Sequence, residues 1–192
     1  GHEKLVGVLA DTAKRKGGTP FLFPSRTNDK KKNPLTPKAK VKFLKSVFPQ
    51  VTVVDDAGSK TIFQALEYLV KKGFKTATIV VGGDRIGEFE KTVVPYTKEI
   101  GMDNIDFVGA GARDPDATGV EGMSASKLRA AALDGDFDTF RSGMPKRASS
   151  KDSKMLYDEI RKVMGANEEY GKDNLFGTTA LRKKYERETP GQ

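Results

Sequence analysis

Apolar positions along this 192-residue chain follow two different spacings. Four short runs are β-branched or aromatic and end in turn residues: TPFLFPS (19–25), VTVV (51–54), TATIVVGG (76–83) and IDFVGAG (105–111). That is the pattern of a strand. Ile79, Val80 and Val81 are continuously apolar, as expected of a parallel strand covered on both faces. Between these runs the spacing lengthens to three and four. In 2–16, Leu5, Val8, Leu9 and Ala13 share one helical face, and Gly17-Gly18 supplies the stop. In 36–48, Val41, Leu44 and Phe48 line one side and Lys38, Lys42 and Lys45 another, with Thr36-Pro37 opening the helix and Pro49 closing it. In 59–72, Ile62, Ala65, Leu66 and Leu69 repeat behind a Ser59 cap. Helix and strand in alternation predict an α/β fold, a Rossmann-like doubly wound parallel sheet.

The texture changes after Pro145. KRASSKDSK is a polar joint, 154–165 forms a helix with Leu156, Ile160 and Val163 on one side, and the remainder is highly charged. The expected organisation is a domain over 1–148 and a charged helical tail over 149–192, packed on the domain or on a partner. There is no internal repeat.

Composition narrows the function. The chain has no cysteine, which excludes disulfides and thiolate metal sites and fits a reducing, cytoplasmic setting. The single histidine, His2, excludes a multi-histidine metal site. No apolar run approaches the ~20 residues that span a bilayer. A net charge of +8 points to a polyanionic partner, and nucleotide phosphates meet that need as well as nucleic acid does.

Doubly wound sheets bind ligands at the carboxyl ends of their strands, and four clusters fall there. They are Gly1-His2 at a helix start, SRTNDKKKNPL (25–35), GGDR (82–85) and the SASKLR stretch (124–129) within GMSASKLRAAALDGDFDTFRSGMP. SASKLR places Ser124, Ser126, Lys127 and Arg129 on the first turns of a helix, where free N–H groups and the dipole already favour an anion. Each cluster has a plainer meaning. Gly-His is also what an affinity tag leaves behind, the lysine loop suits a solvated surface, Gly82 and Gly83 suit a simple chain reversal, and SASKLR suits an ordinary N-cap. Read functionally, the glycines let backbone approach a nucleotide, and Asp84 takes ribose hydroxyls or a metal. Arg113, Asp114, Asp116 and Glu121 read as a polar loop.

GHEKL, GGDR and MSASKLR, in that order, resemble the nucleotidyltransferase superfamily, whose members carry a histidine signature ending in Gly-His on the first helix and a Ser/Thr-rich motif ending in arginine late in the domain. Over 1–147 the chain is similar to bacteriophage-encoded members of the cytidylyltransferase-like or nicotinamide-nucleotide adenylyltransferase-like kind, with KKNPL, VGGDR, ARDPDATGVEGMSASKLRAAALDGDF and FRSGMPK in the same order. The resemblance implies that His2, beside Gly1, contacts the nucleotide phosphates and stabilises the transition state. It implies that Gly82, Gly83 and Asp84 line the nucleoside site. Ser124, Ser126 and Arg129, with Lys127 in the same turn, hold the triphosphate, while Lys38 or a lysine of 30–32 such as Lys32 meets the phosphate of a second substrate. The implied partners are a nucleoside triphosphate and a phosphorylated small molecule, with Mg²⁺ as cofactor.

The resemblance also implies a central first strand, bearing another signature histidine, ahead of Gly-His. Its place would otherwise leave two inner strands with unpaired backbone. The expectation is therefore a longer native polypeptide, another segment in the gap, or a catalytically dead form. The leading expectation is transfer of a nucleotidyl group from ATP or CTP. A second is a phage virion-associated or structural protein that keeps the fold without turnover, joined to a homo-oligomer or virion partner through the tail. A nucleic-acid reading rests on charge alone, without interleaved aromatics.

Overall fold

The computed structural model describes residues 2–111 and 124–165, with only the backbone of His2. It is a mixed α/β protein with short parallel sheets. The chain divides into two compact units, residues 1–26 with 40–115 and residues 27–39 with 116–192.

In the first unit, α1 (His2–Lys16) leads into β1 (Phe21–Leu22), and most of α2 (Pro37–Val47) leads into β2 (Thr52–Val53). α3 (Ile62–Lys71), β3 (Thr76–Val81), α4 (Ile86–Val93), α5 (Thr97–Ile100) and β4 (Asn104–Gly109) follow. β1 pairs with β2 and β3 with β4, both in parallel. The first pairing extends little beyond its ends, with Thr52 N–H donating to Pro20 O at 2.8 Å and Val54 N–H to Leu22 O at 2.9 Å. Four strands thus form two sheets rather than the single sheet expected, and no backbone hydrogen bond joins the two among the described residues. Ring contacts reach from β1 toward its neighbours nevertheless: Phe21 meets Phe74, just ahead of β3, edge-on at 5.3 Å, and Phe23, just past β1, meets Tyr68 of α3 at 5.7 Å.

Alternation along β4 explains the core. Ile105 and Phe107 turn to the face where Ala77, Ile79, Leu66, Val93 and Met102 gather, with Phe89 of α4 and Ile100 of α5 packed against them. Leu66 is 2% exposed and Val93 and Met102 no more than 1%. The other face is mixed, with Thr78, Val80, Asp106 and Val108 on it. There Lys16, in the last turn of α1, donates to Asp106 Oδ2 at 2.7 Å and Thr78 Oγ1 at 3.1 Å.

The second unit is helical: α6 (Ala125–Leu133), α7 (Phe137–Ser142) and α8 (Ser150–Val163) pack on one another. Phe140 is fully buried and meets Tyr157 at 5.4 Å, while Phe137 meets the same ring at 5.1 Å. Arg161 of α8 donates to the carbonyls of Ala132 and Leu133 at 2.6 and 3.3 Å, satisfying acceptors that the C-terminus of α6 leaves open.

Several boundaries correct the sequence reading. α3 is capped by Thr61, not Ser59, in a capping box with Gln64, while Ser59 is buried and donates to Asp56 at 2.7 Å. Of the stretch read as a polar joint (146–154), residues 150–154 are the start of α8, which is boxed by Ser149 and Asp152. α8 packs on α6 and α7 within the second unit.

Candidate functional site

The first unit supplies a bare turn. β3 runs out into Gly82, and a single 3₁₀ turn over Gly83–Arg85 leads straight into α4. Gly83 N–H donates to Gly111 O at 3.1 Å, which ties the exit of β3 to the exit of β4. Glycine at 109 eases that approach, because a Cβ there would stand 3.0 Å from Ile86 Cδ1 and 3.3 Å from Gly83 Cα, so that neighbours would have to shift by a few tenths of an ångström. Gly111 sits at φ +84, a conformation that residues with a side chain rarely adopt. The exposed Asp84 folds back, its Oδ1 2.7 Å from where a Cβ on Gly82 would be. Gly82, Gly83 and Asp84 thus make up the turn at the exit of β3. Gly109 and Gly111 join them, and the glycine repeat in VGAG was the only sequence sign of it.

The second unit supplies donors. Ser124 is the N-cap of α6 and accepts from Lys127 N–H at 3.2 Å, and its Oγ lies 2.8 Å from that of Ser126. Arg129 reaches a segment 97 residues away, its Nη1 donating to the carbonyl of Lys32 at 3.0 Å. A helical side chain leans toward the N-terminus of its helix, the end at which Ser124 and Ser126 stand. The lysine turn is itself held firmly. Asp29 accepts from Lys31 N–H at 3.0 Å, Lys32 N–H at 2.6 Å and Asn33 Nδ2 at 2.7 Å. Asp29 N–H closes the turn on Asn33 O, and Asn28 Nδ2 donates to the same carbonyl. These bonds, that from Lys32 N–H first, lower the Asp29 carboxyl to about 2. Arg129 and Lys32 are thus brought together, as are Ser124, Ser126 and Lys127. The exposed Lys38 stands in the first turn of α2, whose residues 37–39 belong to this same unit.

Of the remaining candidates, Gly1 and the side chain of His2 lie outside the described residues, as does the loop with Asp114, Asp116 and Glu121. The glycine turn and the serine-arginine turn belong to different units, each described by itself. Among the described residues no three acidic or histidine side chains cluster as a metal site. Asp84 is the carboxylate at the glycine turn.

Compared with models of known families, with curated proteins and with solved structures, the chain matches none.

Proposed function

We propose that this protein is a nucleotidyltransferase that moves a nucleotidyl group from ATP or CTP to a phosphorylated small molecule and releases pyrophosphate. The observation that carries this reading is the grouping in the second unit: a capped helix start, two serine hydroxyls 2.8 Å apart and an arginine bound to the backbone of a lysine turn. The arrangement gathers donors and positive charge at one place, as a triphosphate requires. The bare Gly82–Gly83 turn at the end of β3 supports it, because nucleosides need backbone within reach.

The chemistry asks little of the protein beyond position and charge. An oxygen of the acceptor phosphate attacks the α-phosphorus, the bond to the α–β bridging oxygen breaks, and its electron pair leaves with pyrophosphate. No protein nucleophile takes part, so a chain without cysteine is adequate. Ser124, Ser126, Lys127 and Arg129 would hold the β- and γ-phosphates and stabilise charge as it moves onto them. In the second unit Lys32 or Lys38 would orient the acceptor; in the first, His2 and Asp84 are the residues the resemblance offers to the nucleotide phosphates and to Mg²⁺, which would shield the triphosphate charge.

The finer fold belongs to the same proposal. Among the described residues β1 and β3 each pair on one edge alone, and a further parallel strand between them would join the two sheets into one doubly wound sheet. Localisation is part of the reading too: the host cytoplasm, with the virion as the second setting. Among the described residues no helix is long and apolar enough to cross a membrane.

The test is pyrophosphate release from each triphosphate with Mg²⁺ and a panel of nicotinamide, pantetheine and alcohol phosphates. Arg129→Ala should lower kcat by about 10²–10³, the loss typical of a transition-state donor, while circular dichroism stays unchanged. No release with any pair removes the transferase reading. Nucleotide binding without release points to a fold that has lost turnover.

A further inference from the structure

α1 carries two lysines that meet the β3–β4 pair at different heights. Lys16 in its last turn is paired with Asp106 and Thr78, midway along the strands. Lys4 in its first turn reaches the exit of β4, where a Cβ on Gly111 would stand 3.1 Å from its Nζ and 3.5 Å from its Cε. The spacing is self-consistent. Twelve residues of helix advance about 18 Å and five of strand about 17 Å, so α1 runs antiparallel to the strands and sets Lys4 at their carboxyl ends.

Lys4 differs from its counterpart in having nothing to hold. Lys16, Lys98 and Lys154 each have an acid within 4 Å, whereas among the described residues no carboxylate pairs with the exposed Lys4. Its position also opposes the helix dipole, since a cation in the first turn is of the wrong sign. Its ammonium lies against Gly111, whose carbonyl takes the Gly83 N–H, so it stands over the junction of the two strand exits. Carboxyl ends of parallel strands are where α/β folds take ligands.

We infer that Lys4 binds a phosphate of the nucleotide at the carboxyl ends of β3 and β4. This rests on the nucleotide reading above and adds a contact to it. The unpaired cation takes its partner from the ligand, and the glycines beneath it leave the phosphate room. Lys4→Ala and Lys4→Arg, titrated calorimetrically with ATP, CTP and inorganic tripolyphosphate at several salt concentrations, test it.

The expected result for Lys4→Ala is about tenfold weaker nucleotide binding with a shallower salt dependence. Lys4→Arg should recover most of the affinity, and the unfolding midpoint should not fall in either variant. Nucleotide binding by Lys4→Ala within twofold of wild type overturns the inference while leaving the transferase reading intact. Binding that depends on Lys4 without any pyrophosphate release removes the transferase reading and keeps this one. Failure of the wild-type protein to bind all three ligands overturns both.

Discussion

The two candidate ligand-facing turns are built by opposite means. In the first unit the turn is made by leaving side chains out: Gly82, Gly83, Gly109 and Gly111 bring two strand exits into contact, and a methyl group at Gly109 would crowd Ile86 Cδ1 at 3.0 Å and Gly83 Cα at 3.3 Å. In the second unit the turn is made by putting side chains in: Ser124, Ser126, Lys127 and Arg129 fill the start of α6, and a turn pinned by Asp29 stands beside it. Function in the first should therefore be fragile to added bulk, and function in the second to lost or reversed charge. The packed cores behind both turns follow the ordinary rule of apolar burial.

That contrast can be tested from the core outward. Truncation of the fully buried Phe140 in the second unit should cost roughly 3–5 kcal/mol, and Leu66→Ala in the first roughly 2–5 kcal/mol, read as lower urea midpoints. Comparable losses would place the difference between the units in their turns rather than their cores. Gly109→Ala should come next, at roughly 1–3 kcal/mol of overpacking, with nucleotide binding weakened at the same time. A stable Gly109→Ala protein with unchanged binding would end the claim that the first turn works by being bare.

Ser124 separates stability from binding most cleanly. Ser124→Ala should cost about 1 kcal/mol through the lost N-cap, whereas Ser124→Asp should keep the cap and weaken tripolyphosphate binding by like charge. Equal binding in Ser124→Asp would contradict a phosphate site at the start of α6. The smallest effect is in acid. Asp136 caps α7 through Thr139, whose hydrogen bonds lower its carboxyl below the ordinary 3.8, and Asp29 is lowered to about 2. Carboxyls held low in the folded state stabilise it above the ordinary value, and that contribution is lost as pH falls through the lowered one. Unfolding midpoints should therefore drop between about pH 4 and pH 2, and the drop should shrink in Asp136→Asn.

Much of the helical structure was legible because its signals are local. α1 spans the residues its apolar spacing and Gly17 defined, and α2 opens at Pro37 as Thr36-Pro37 announced. Where the reading went astray the signal was present but overlooked. Thr61 and Gln64 spell the capping box of α3, Ser149 and Asp152 that of α8, and Ile86, Phe89 and Val93 carry the stripe of α4. The two turns offered as candidate sites were legible locally, as the glycine turn at Gly82–Asp84 and the serine-capped start of α6. Its neighbours were not, since nothing in KKK names Arg129 as the side chain that would hold its backbone.

The sequence by itself determined which segments are helices and strands, where most of the caps fall, and which short stretches offer bare backbone or clustered donors. Those properties depend on residues within a few positions of one another, and a helix satisfies its own hydrogen bonds. Only the tertiary structure decided that the four strands pair as two sheets, that Arg129 closes on Lys32, and that Lys4 comes to rest over Gly111. A strand, an arginine or a lysine must find its partner elsewhere in the chain. Which partner it finds depends on how the whole chain closes, and that is not written in any local pattern.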